Sequence, residues 1–266
     1  MGLGYGLAID FAVSTLIWIS IQTVLFQVPD LSKYNLDRNK YLDFRNRLVS
    51  FIHGLACLLL SSYVAYLKFS SCGDPTSQLE YFIMTMSGGY FSYDLISMAF
   101  FGLLDLDMAI HHLMCIGGIV MILIDNKGAS FVVNGLFVAE VSNPAMHCRV
   151  MLRYMGLRYS RAYEVAEYSY FIMFFFGRVI LGHPVTFNTV TCEDVNIVAK
   201  IVALGVLAQS YLFLYRMYFI FRARVAEQAE RKKRKIKISW FDPIPMETLK
   251  ECNFYLKSKT RSEKLP

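Results

Sequence analysis

The sequence predicts an all-α protein, a multi-pass membrane helical bundle with seven transmembrane helices. Three observations carry this. Of the 266 residues, 55% are hydrophobic and only 18% charged, with a mean hydropathy of +0.39, whereas a soluble domain is about a quarter charged. The apolar residues fall in seven blocks, mostly of about 17–25 residues, the length with which an α-helix crosses a hydrocarbon core. The blocks lack the short alternation of apolar and polar residues that marks an outer-membrane barrel.

The first block covers residues 5–28, interrupted only by Asp10, and Pro29 stands just beyond it as a helix stop. No cleavable leader is expected ahead of it, so it is expected to act as its own insertion signal. A basic connector follows, with Lys33, Arg38, Lys40, Arg45 and Arg47, and then a second span over 48–67 that holds His53 and is closed by Lys68. Turn chemistry at 70–77 separates it from the third span, 79–104, which carries Gly88, Gly89, Tyr90, Tyr93 and Asp94. The two glycines allow a neighbouring helix to approach closely.

Asp105 and Asp107 lead into a short fourth span, 109–124, that opens with His111 and His112. Residues 125–128 form a turn. The fifth span, 129–151, contains Glu140, Asn143, Pro144 and His147; its proline frees a backbone carbonyl one turn back, so a kink is expected. The sixth, 162–181, ends with Arg178 in its last turn, and Gly182-His183-Pro184 is expected to break it. The seventh, 195–221, runs on into a tail with Arg231, Lys232, Lys233, Arg234, Lys235 and Lys237. Along the chain this divides into residues 1–39, an N-terminal helix with its connector, 40–225, the main bundle, and 226–266, a basic cytosolic tail.

Lys and Arg concentrate in the connectors after spans one and five and in the tail. By the positive-inside rule these are cytosolic, which puts the N-terminus outside and the C-terminus in the cytosol. The basic tail suits anionic lipid headgroups. No folded nucleic-acid-binding module surrounds it, so nucleic acid is not an expected partner. None of the six cysteines forms a C-x-x-C pair. The topology leaves Cys72 and Cys192 on the outer side, where an oxidising compartment permits a disulfide between their two loops; the alternative is two free thiols.

Ionisable groups inside apolar spans are expensive, by a few kcal/mol each on the lenient insertion scale, and they face protein interior or wet cavities. His53, Asp94, His111 or His112 and Glu140 are therefore expected to approach one another in a cytosol-facing pocket, with Tyr90, Asn143 and His147 as further binding candidates. Arg178, set toward the outer side, needs a partner. Asp10, Glu193 and Asp194 are the acidic candidates, with backbone carbonyls or snorkelling to the interface as alternatives. The five histidines are too few for a membrane di-iron site, and no metal site is enforced by spacing.

Four stretches, RLVSFIHGL at 47–55, GGYFSYDL at 88–95, HHLMCIGGIVM at 111–121 and LFVAEVSNP at 136–144, together with FFFGRVIL at 174–181, resemble the TLC-domain (TRAM, LAG, CLN) membrane proteins. The resemblance implies a six-helix TLC unit plus one N-terminal helix, a cavity reached by lipid chains, and an internal membrane such as the endoplasmic reticulum. The family's ceramide synthases move an acyl group from acyl-CoA with a paired histidine followed by a His-Asp pair and a second Asp. Here the paired histidine stands as His111 and His112, while the later positions read Ala139-Glu140 and Asn143.

Two functions follow. In the first, the protein binds membrane lipids or acyl chains in the polar pocket and thereby regulates membrane lipid composition, with no cofactor. In the second, it is a lipid acyltransferase using acyl-CoA as co-substrate, with His111 or His112 as nucleophile or base and Glu140 or Asp94 orienting the imidazole, Glu140 counted among the catalytic groups. Absence of the second histidine motif favours binding; the intact pair favours chemistry. The oligomeric state is left open.

Overall fold

The computed structural model describes residues 2–27, 30–67 and 72–255. Pro29 and Lys68, the expected stops of the first two spans, lie outside these residues, as do the start of the 70–77 turn and the end of the tail. Among the described residues there are helices and one isolated bridge, Pro75 to Lys127, but no strand.

Among the described residues the named α-helices are, in order, α1 Gly2–Leu25, α2 Arg38–Leu67, α3 Gln78–Phe101, α4 Leu106–Asp125, α5 Ala129–Glu140, α6 Asn143–Tyr154, α7 Arg161–Phe174, α8 Gly182–Thr191, α9 Ile197–Lys233 and α10 Met246–Lys250. Five helical stretches among the described residues are long and apolar enough to cross a membrane. They lie in α1, α2, α4, the run from α7 through α8, and α9. The other two expected spans fall short for different reasons. Helix α3 is long, but Thr85, Ser87, Ser92, Asp94 and Ser97 dilute its apolar content. The α5–α6 segment is broken in two, and each 12-residue half reaches only about 18 Å at 1.5 Å per residue.

The break is the kink expected from Pro144. Glu140 is the last residue of α5, Val141 and Ser142 turn, and Pro144 sits in the first turn of α6, where its missing N–H is no loss. The sixth span behaves differently from expectation. Gly182-His183-Pro184 does not end it, because residues Phe175–Leu181 widen into a π-helix after which α8 starts afresh at Gly182. Pro184 then falls in the first turn of a new helical register, where it needs no donor.

Close helix contacts are made by glycine. A Cβ on Gly88 would meet the Phe11 ring at 2.4 Å, and one on Gly89 would meet Ser14 Oγ at 2.2 Å, so the pair in α3 seats α1 as the sequence suggested. Trp18 Nε1 donates to Met86 O across the same interface at 3.1 Å.

The two ends of the bundle differ in chemistry. At one end Cys72 and Cys192 are bonded, with a Cα–Cα separation of 5.7 Å. There Thr76 N–H donates to Asn126 O and Lys127 pairs with Asp194 at 2.7 Å, so three connectors are tied together. At the other end lies an ionic lattice. Glu167, fully buried, accepts from Arg149 Nε at 2.9 Å, from Tyr163 OH at 3.0 Å and from Arg224. Glu227 accepts from Arg224 and from Arg158 at 3.1 Å, and Arg231 donates to Glu164. Helix α9 thus continues as a folded element well past residue 221. The chain then returns to α7, where Ser239 O and Trp240 O accept the N–H groups of Arg161 and Ala162, two of the donors a helix start leaves unpaired.

Candidate functional site

The paired histidine begins on the second turn of α4, whose N-terminus is capped by Asp105 accepting from Met108 N–H at 2.8 Å. Adjacent helix residues point about 100° apart, so His111 and His112 cannot share one environment. Their rings are perpendicular, 5.6 Å between centroids, and each is held by different partners.

His112 turns inward toward α3. Its Nε2 lies 2.8 Å from Asp94 Oδ2 and its Nδ1 lies 2.7 Å from Met108 O. Asp94 also accepts from Asn46 Nδ2 at 2.6 Å, while Asn46 Oδ1 accepts from Tyr93 OH at 2.9 Å and Ser97 Oγ at 3.2 Å. Gln22 Nε2 of α1 donates to Ser97 Oγ at 2.9 Å. Four helices are therefore joined by one buried polar network.

His53 sits beside this network but outside it. Its ring stacks on Tyr90 at 3.8 Å, Trp18 packs edge-on, and its Nε2 lies 3.2 Å from Ser87 Oγ. Its Nδ1 has no hydrogen-bond partner. His147, also buried, has an unpaired Nδ1 too, and the Arg149 that follows it belongs to the ionic lattice.

His111 turns the other way, into a cavity. Gln209 of α9 donates its Nε2 to Asp107 O at 3.1 Å, which fixes the amide and aims Oε1 at His111 Nδ1, 3.0 Å away. Nδ1 must then carry the proton. The lone pair is left on Nε2, which faces Cys115 Sγ at 3.7 Å.

The cavity holds about 140 Å³ between α4, α5, the π-helical segment, α8 and α9. Its walls are mostly apolar, including Phe91, Ile119, Leu136, Val202 and Leu207, and its ionisable lining groups are His111, Cys115, Glu140 and Arg178. It extends from these toward Gly128, Thr189 and Val195 at the disulfide end. Its apolar length suits hydrocarbon, whereas the end with the ionisable groups can hold a polar group or water.

Glu140 and Arg178 reach the cavity because both neighbouring helices are irregular. Glu140 ends α5 at the kink, where Asn143 Nδ2 donates to its Oε2 at 2.9 Å. Arg178 lies within the π-helical turn, and Gly177 before it packs so tightly that a Cβ would sit 2.5 Å from Val141 Cγ1 and 2.8 Å from Val138 O. Arg178 donates to Ser210 Oγ and Ala139 O, each at 3.3 Å, lies against the Phe174 ring, and keeps its Nε unpaired.

Of the alternatives for Arg178, a backbone carbonyl is the partner found, and Asp10 and Asp194 are engaged elsewhere. Asp10 accepts from Tyr81 OH and Asp194 pairs with Lys127. The widened turn rotates Arg178 into the bundle, so a carbonyl and a serine serve instead. His53, Asp94, His112 and Glu140 are all buried and near enough to act on one another electrostatically, but only Glu140 of these lines the cavity, with His111 and Arg178, while Asp94 with His112, and His53 with Tyr90, pack within helix interfaces. From Glu140, His111 and Arg178 the cavity extends toward the disulfide end of the bundle. Among the described residues no group of three His, Cys, Asp or Glu side chains is placed to hold a metal ion.

Asn46, Cys115, Gln209 and Ser210 were missed by the sequence reading. Gln209 had a visible signal, a lone amide within an apolar run. Asn46 had none, being set among the charges of a connector.

The site falls almost entirely within the TLC domain, whose family model matches residues 43–223, well over half of the chain. On that match the chain is a member of the TLC-domain family of membrane proteins.

Proposed function

We propose that the protein holds a lipid acyl chain in the apolar length of the cavity, with the polar end of that lipid at His111, Glu140 and Arg178, and through this regulates membrane lipid composition. One observation carries the reading: a mostly apolar cavity with an unpaired, buried Arg178 Nε among the ionisable groups of its lining. Such a donor is costly to bury empty and suits a carboxylate, ester or phosphate oxygen. His53, Tyr90, Asp94, Asn143 and His147 support the walls rather than touch the ligand.

The same proposal takes seven membrane crossings, with α3 and the α5–α6 pair as the third and fifth. The N-terminus lies on the side of the disulfide and the C-terminus in the cytosol. Two features support this orientation: the disulfide belongs to an oxidising compartment, and the basic connectors cluster at the opposite end. The basic tail then meets anionic headgroups. Within the family, the order and spacing of the motifs are similar to the branch called TLC domain-containing protein 5, or transmembrane protein 136, and residence in the endoplasmic reticulum or another internal membrane is carried over from that resemblance.

The second reading, acyl transfer from acyl-CoA, is favoured by the His111 tautomer, since a neutral imidazole with an exposed lone pair is a base or nucleophile. His112, claimed by Asp94 and Met108, would act only through the walls, and Glu140 would steer charge. The two readings separate in one experiment. Membrane lipid profiles are compared for wild-type protein, a His111→Ala/His112→Ala variant and no protein, alongside photo-crosslinking of a diazirine fatty acid. Retained cross-linking with an unchanged effect on the profile supports binding. Retained cross-linking with a lost effect supports chemistry, and loss of cavity labelling by wild type sinks both.

A further inference from the structure

We propose that Cys115 is an acyl acceptor: a nucleophilic thiol, activated by His111, that takes a long-chain acyl group from a thioester donor and carries it as a covalent adduct in the cavity. This rests on the reading that the cavity holds an acyl chain.

The argument begins with spacing. His111 and Cys115 are one turn apart on α4, so their side chains lie on one face, and both line the cavity. Cys115 Sγ lies 3.7 Å from His111 Nε2. The Asp107 O–Gln209–His111 chain of hydrogen bonds leaves that nitrogen without a proton, so it can take one from sulfur. Nucleophile, base and orienting amide are thus in the order that thiol acyl transfer uses. Arg178 supplies the remaining part, an unpaired Nε donor in the same cavity for the oxygen that becomes negative during attack.

The other free cysteines lack this arrangement. Cys57 is buried against Ser87 Oγ at 3.5 Å, Cys252 donates to Thr248 O, and Cys148 makes no imidazole contact among the described residues.

In the step, Cys115 Sγ attacks the carbonyl carbon of an acyl-CoA-type thioester as its proton passes to His111 Nε2. The carbon–sulfur bond to the donor breaks, and the departing thiolate takes the proton from His111. One thioester replaces another, so no oxidant and no further energy source is needed. The acyl chain then lies along the apolar wall.

Full-length protein in lipid nanodiscs is incubated with alkynyl palmitoyl-CoA, and peptides are mapped by mass spectrometry before and after neutral hydroxylamine. The expected result is a hydroxylamine-labile adduct on Cys115. It is retained when Cys57, Cys148 and Cys252 are all replaced by serine, absent in Cys115→Ser, and formed on the order of a hundredfold more slowly in His111→Gln. Retention of the Cys72–Cys192 bond and a single gel-filtration peak confirm that each variant is folded. An adduct found only on other cysteines, or one that forms at an unchanged rate in His111→Gln, overturns the proposal. Cavity labelling by a diazirine fatty acid with no adduct on Cys115 removes this inference and leaves lipid binding standing, whereas absence of both removes the two together.

Discussion

His112 Nε2 lies 2.8 Å from Asp94 Oδ2 while its other ring nitrogen lies 2.7 Å from Met108 O, so both nitrogens of one imidazole face acceptors. A neutral imidazole has a single N–H. One ring proton thus serves two facing acceptors, and Asn46 Nδ2 donates to the other carboxylate oxygen of Asp94. This ties α2, α3 and α4 together at the point where the family's paired histidine sits.

Removing Asp94 leaves both His112 and Asn46 without their acceptor. Asp94→Ala is expected to lower stability by about 3–5 kcal/mol, the range for breaking one side of a buried pair. Asp94→Asn should lose less. Denaturation in detergent micelles, run as a cycle with His112→Phe, should give a double variant less destabilised than the two single losses summed. Strict additivity would mean the contact carries no coupling.

Two glycines make opposite predictions. Gly135 lines the cavity and a Cβ there would meet nothing within 4 Å, so Gly135→Leu should fill the cavity and cut fatty-acid cross-linking. Helix propensity should at the same time raise stability by up to about 1 kcal/mol. Gly177→Ala places its Cβ 2.8 Å from Val138 O, a backbone atom that cannot swing away, and should destabilise by about 1–3 kcal/mol. Equal thermal shifts for the two would contradict the packing described.

Gln209 sets the tautomer of His111. In Gln209→Leu the ring is released, and nitrogen chemical shifts of labelled histidine should change from one Nδ1–H form to a mixture. Loss of a hydrogen bond worth about 1 kcal/mol predicts roughly fivefold weaker lipid retention if the imidazole contacts the ligand. Gln209→Glu keeps an acceptor for Nδ1 and should recover most of it. An unaltered tautomer in the leucine variant would show that some other group orients the ring.

The disulfide closes 120 residues of sequence, so its removal should be felt globally. Cys72→Ser is expected to cost about 2–4 kcal/mol and to leave Cys192 open to a maleimide label, which wild type should take up only after reduction. Labelling of unreduced wild type at Cys192 would refute the bond.

The helical class and the ordinary helix positions follow from local physics, since run length sets what can cross a bilayer and a cap or proline acts within one turn, while the family was legible in the resemblance of the motifs. The same locality made the Pro144 kink and the Gly88-Gly89 contact legible, each depending on a property of its own residue. Pro184 misled because a π-helical turn seven residues long, Phe175–Leu181, resets the register before it, and no residue in that stretch announces the reset.

The division of the site was decided only in three dimensions. Sequence places His111 and His112 side by side and states that both need partners, but partners are chosen across helices: Asp94 and Asn46 claim one ring, Gln209 from nearly a hundred residues away claims the other. Because neighbouring positions on a helix diverge by about 100°, one histidine had to enter the polar interface and the other the cavity. Which did which depended on where α3 and α9 pack against α4, and between α4 and α9 the approach is made at Gly118 against Val202 and Gly205 against Met114, outside the histidine pair itself.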